Sequence, residues 1–143
     1  MSQSLLAPGA VLALWTLMMF GWVAATRFPA LKKTGIDLSK APPGGRGADL
    51  EGILPPEVNW KSHNYTHLLE QPTIFYAVIV FLQIDGGNTG LTRGLAWTYV
   101  GLRIVHSIWQ ATVNRIPVRF LLFLLSTLCL LALSVLAVIA TLG

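Results

Sequence analysis

Between residues 63 and 78 the chain reads HNYTHLLEQPTIFYAV. His63, Asn64, His67, Glu70 and Gln71 recur at three- and four-residue steps, which puts them on one face of a helix. Between 103 and 120, RIVHSIWQATVNRIPVRF repeats the device with Arg103, His106, Gln110 and Asn114. Both polar faces sit in otherwise apolar sequence. A carboxylate or guanidinium in such surroundings is costly and by default marks a functional site whose partner must be found.

Three readings of these faces compete. Polar side chains can simply tie membrane helices together by hydrogen bonds. His63, His67, Glu70 and His106 have the spacing of metal ligands. A set of this size can also line a cavity that receives a polar molecule. Several polar side chains at one depth, two of them strongly charged, favour the cavity. No HExxH run is present and three histidines are few for a membrane di-iron site, so no metal is expected. Glu70 and Arg103 form the natural ion pair, because each lets the other stay charged. There is no GxSxG, P-loop or dinucleotide fingerprint. The lone Cys129 lies in an apolar run and reads as a structural thiol.

These faces need helices to carry them, and composition says where. Only 11% of the 143 residues are charged, against about a quarter in soluble domains, and mean hydropathy is +0.64. The chain therefore belongs in a membrane, and its +4 net charge reads as topology-setting loops that touch lipid head groups, not as a nucleic-acid surface. Four spans are expected, at about 5–26, 64–84, 91–113 and 117–142, in a single domain. The first run is too long for a signal-peptide core and no basic residue precedes it. Spans two and three are antiparallel, so residues at equal depth sum to about 175, and Glu70 falls between Arg103 and His106. Basic residues gather around the first and third connections. That places both connections in the cytoplasm and both termini outside it. The first connection, about 28–61, holds KAPPGGRGADLEGILPPEVNW, whose Pro-Pro and Gly-Gly pairs break helices. It reads as an irregular cytoplasmic lid or docking loop, with a disordered linker as the alternative.

The runs ATRFPALKKTG, THLLEQPTIFY and NRIPVRF, taken in that order, resemble the MAPEG family, the membrane-associated proteins of eicosanoid and glutathione metabolism. The resemblance is nearest to the bacterial branch, with its NLFE-P-LFY, R-x-x-H-S and NR-x-x-x-RF runs. It implies an all-α integral membrane fold: a bundle of four transmembrane helices assembled as a homotrimer in a bacterial inner membrane. It also implies glutathione, or a related thiol, as co-substrate in transferase or peroxidase chemistry on hydrophobic small molecules. The alternative is a non-catalytic lipid-binding scaffold or an accessory subunit of a membrane complex. Carried over to this sequence, the thiol-binding residues are Asn64, His67, Glu70, Arg103, His106 and Gln110. Arg27, Arg115 and Arg119 are the candidates to stabilise a thiolate. The chain departs from the family pattern where His67 stands for Asn, His63 for Arg, and His106 and Gln110 for tyrosines.

Overall fold

The computed structural model describes residues 4–143. All regular structure among them is helical: α1 (Leu6–Thr34), α2 (Pro56–Leu68), α3 (Gln71–Ile84), α4 (Gly90–Thr112) and α5 (Ile116–Leu142), with two short 3-10 turns between α1 and α2. Three rods are long and apolar enough to cross a membrane: α1, the α2–α3 pair taken together, and α5. Helix α4 has the length, at 23 residues. It falls below the others in apolarity because Arg103, His106, Ser107 and Gln110 line its buried side. It is packed against α1, α2 and α5, which cover that polar stripe.

The second rod is broken, and the sequence says why. Pro72 has no amide proton, and its ring collides with the carbonyl four residues back, at Leu68. Helix α2 accordingly stops at Leu68. Glu70 takes a non-helical backbone (ψ −96°), and α3 restarts at Gln71. The Thr73 amide and hydroxyl both bond the Glu70 carbonyl, at 3.2 and 2.6 Å. The restarted helix is anchored at once by Gln71. Its amide donates to Thr127 Oγ1 on α5 at 2.9 Å, and its carbonyl oxygen accepts from the Tyr99 hydroxyl on α4 at 3.4 Å.

Around these bonds lies an apolar core of Leu12, Phe75, Leu82, Tyr99 and Leu133, all buried. Phe75 and Tyr99 stack with ring centroids 4.4 Å apart. Leu14, Leu17 and Met18 on α1 and Leu121, Leu128, Leu131 and Val138 on α5 remain exposed, as expected where the solvent is hydrocarbon.

Helix α1 runs past Thr26 to Thr34 and ends at Gly35, whose positive φ of 72° suits glycine and lets its amide bond the Lys32 carbonyl. The connection to α2 is an ordered strap. Asp37 caps the first 3-10 turn through Ser39, the Asp49 carboxylate accepts from the Arg46 amide at 2.7 Å, and Asn59 ties the Glu51 and Leu54 carbonyls to α2. The α4–α5 turn is tight, with Asn114 left-handed (φ 53°) and Pro117 in the first turn of α5.

Gln71→Leu removes both bridges at the restart and leaves the Tyr99 hydroxyl without its acceptor, while Thr127 keeps its bond to the Phe123 carbonyl. It is expected to cost about 1–3 kcal/mol, measured as earlier thermal unfolding of the detergent-solubilised protein. An unchanged midpoint would refute the anchoring role.

Candidate functional site

The break in the second rod decides where the charges meet. The carbonyls in the last turn of a helix lack intrahelical partners. At the end of α2 the His67 carbonyl accepts from Arg103 Nη2 at 3.1 Å. Arg103 has no exposed surface, and its guanidinium also lies over the Phe123 ring, 5.9 Å from the centroid. A cation at a helix C-terminus is stabilised by the helix dipole. Arg103 thus serves as the cap of α2, delivered from α4.

The expected Glu70–Arg103 ion pair is therefore replaced by a hydrogen bond between Glu70 and His67. Glu70 Oε2 contacts His67 Nδ1 at 2.9 Å. The reason lies in the break, which frees a carbonyl that Arg103 takes, while Glu70 turns to an exposed position beside its own neighbour. The contacts fit one tautomer of His67. Nδ1–H donates to the carboxylate, which leaves Nε2 as an acceptor facing Arg103 Nη1 at 3.5 Å. His67 and His106 come together, with ring centroids 5.1 Å apart, close to the depth match that the antiparallel register predicts.

Two cavities open at this point. The larger, about 510 Å³, is walled by Arg27, the strap residues Gly47 and Glu51, and His63, Glu70 and Gln110. The smaller, about 300 Å³, is walled by His106, Arg119, Ile116, Phe120 and Phe123. His67 and Gln110 belong to both. The first is rich in charge and the second largely aromatic and aliphatic, with one guanidinium. Volumes of this size suit small-molecule ligands.

Of the residues singled out in the sequence, Arg27, His67, Glu70, His106, Gln110 and Arg119 line these cavities. Arg103 lies behind His67. Asn64 is buried, with neither side-chain polar atom hydrogen-bonded, and it lines neither cavity. Arg115 is exposed and contributes its carbonyl to Trp109 Nε1 at 3.1 Å, so of the two arginines around the α4–α5 turn Arg119, in the first turn of α5, is the one that lines a cavity. Arg119 Nη1 donates to Asn114 Oδ1 at 2.6 Å. Glu51 and Gly47 belong to the site without a sequence signal. Glu51 holds His63 Nε2 at 2.6 Å, and the Gly47 carbonyl accepts from Arg27 Nη2 at 3.0 Å. No three His, Cys, Asp or Glu side chains among the described residues converge closely enough to hold a metal ion.

Residues 5–139 match the MAPEG family model. The chain belongs to the MAPEG family. This family includes glutathione transferases and peroxidases alongside other members. Family membership and the three apolar rods together make the chain an integral membrane protein. No curated protein and no solved structure matches it. In this MAPEG protein the polar faces of α2 and α4 are brought together at the helix break.

Arg103→Leu leaves the His67 carbonyl without its charged donor and is expected to destabilise the protein by about 1.5–3 kcal/mol. Glu70→Gln spares that bond and loses only an exposed contact, worth at most about 1 kcal/mol. Equal losses in thermal unfolding would argue for an ion pair after all. A Cβ on Gly47 would lie 2.8 Å from Arg27 Nη1. The flexible end of the arginine yields, so Gly47→Ala breaks the strap contact, and trypsin should then cleave after Arg46 faster than in the parent protein.

Proposed function

We propose that this MAPEG protein is a membrane-embedded enzyme that uses glutathione or a related thiol to conjugate or reduce hydrophobic electrophiles. The observation that carries this reading is the meeting of a charged cavity and an apolar-walled cavity at His67 and Gln110, with a guanidinium on each side.

Glutathione brings a thiol nucleophile, one ammonium and two carboxylates. Arg27 offers the planar fork that suits a carboxylate, and Glu70 offers an acceptor for the ammonium. Arg27 Nε and Gln110 Oε1 are buried without hydrogen-bond partners. Such groups are costly to leave unmade, and a peptide-like ligand has the acceptor and donor they lack. A free thiol has a pKa of about 8.5 and is mostly protonated at neutral pH. A guanidinium beside it favours the thiolate, and Arg119 in the smaller cavity is the residue we assign to that role. Ile116, Phe120 and Phe123 give the electrophile an apolar wall.

The same reading has α4 crossing the membrane with the three apolar rods, both termini outside the cytoplasm, and three copies assembled in a bacterial inner membrane. The exposed apolar faces of α1 and α5 are available for lipid and for neighbouring copies.

Titration of the detergent-solubilised protein with glutathione tests the proposal through the ultraviolet absorbance of the thiolate. We expect a saturable band in the parent protein and none in Arg119→Ala. In Arg27→Ala the band should persist with affinity about tenfold or more weaker, the loss of one charged hydrogen bond. A folded oligomer that gives no band would point instead to a lipid-binding scaffold or an accessory subunit.

A further inference from the structure

A third cavity, of about 490 Å³, stands apart from the site above. It lies in the seam between the last turns of α1 and the segment that leads into α2. Ala25, Pro29 and Ala30 wall one side, Ile53 and Val58 the other, and Lys33 lines it as well. Among the described residues no carboxylate borders it, and the Lys33 ammonium has neither an ion pair nor a hydrogen bond.

The seam also straddles a boundary. Helix α1 has 29 residues and is about 43 Å long, against roughly 30 Å of bilayer hydrocarbon. Its apolar stretch gives way to Arg27, Lys32 and Lys33. From Ala25 to Lys33 the helix rises about 12 Å, the passage from acyl chains to head groups.

We infer that this seam binds one anionic phospholipid. Its phosphate lies on Lys33 Nζ, and an acyl chain runs along Ala30, Ile53 and Val58 toward Ala25. Charge complementarity selects this occupant: one unpaired cation above apolar walls, with no acidic residue to oppose the phosphate. A phosphocholine lipid lacks the net negative charge.

Native mass spectrometry of the full chain in detergent, titrated with phosphatidylglycerol or phosphatidylcholine, tests the site. The parent protein should take up phosphatidylglycerol in preference. Lys33→Gln should weaken that uptake about fivefold, as one lysine at an anionic surface is worth. Lys32→Gln, next door and outside the cavity lining, should leave it unchanged. Ala30→Trp, which fills the seam, should abolish it. Equal uptake of the two lipids, or equal losses in Lys32→Gln and Lys33→Gln, would overturn the inference in favour of a diffuse basic surface. The two lysine variants are exposed substitutions, so their comparison decides the matter even if Ala30→Trp fails to assemble.

Discussion

Everything in the polar interior depends on the hydrogen bond from Arg103 to the His67 carbonyl. A proline in a membrane-spanning rod leaves backbone acceptors that hydrocarbon cannot satisfy. A buried guanidinium in the same rod bundle needs acceptors of its own. Each would be destabilising alone. Here one guanidinium N–H and one freed carbonyl meet at 3.1 Å, and the pairing fixes α4 against the end of α2. The site is the by-product of that repair: once Arg103 is committed to the backbone, His67 is held in place and Glu70 is left outside to face the larger cavity.

The electrostatics of the break follow the same logic. It creates a helix C-terminus at Leu68 and a helix N-terminus at Gln71, one after the other. The first favours a cation and the second an anion. Arg103 stands at the first, and Glu70, the residue that precedes α3, stands at the second. The charges that looked like partners in the sequence thus stand beside different helix ends, Arg103 bonded to the first and Glu70 next to the second without capping it, and His67 lies between them with its ring contacting both.

Periodicity made much of this legible. The two polar faces and their common depth follow from spacing, and the chemistry of proline explains the break at Pro72 once the structure shows it. Partner choice did not, because spacing counts side chains and is blind to a backbone carbonyl as a competitor for Arg103. Arg115 and Arg119 could not be told apart for a similar reason. Both flank the same turn, and only the left-handed Asn114, which receives Arg119, separates them. The strap was the least readable part. Gly47 and Glu51 sit in a stretch without periodicity, and their roles come from long-range contacts, Arg27 reaching across to Gly47 and His63 to Glu51.

The length of α1 ties the strap to the rest of the fold. A helix that stopped at the edge of the hydrocarbon would end near Arg27 and leave the connection to α2 without support. By continuing to Thr34 it offers a rigid post, and residues six apart on a helix point about 120° away from one another. Arg27 therefore turns toward the charged cavity, while Lys33 turns to the other seam, beside Ile53 and Val58. The segment from Gly35 to Pro55 has to pass between these two faces. It meets the first through the Gly47 carbonyl and the second through Ile53 and Pro55. One overlong helix thus orders a glycine- and proline-rich connection that has no core of its own.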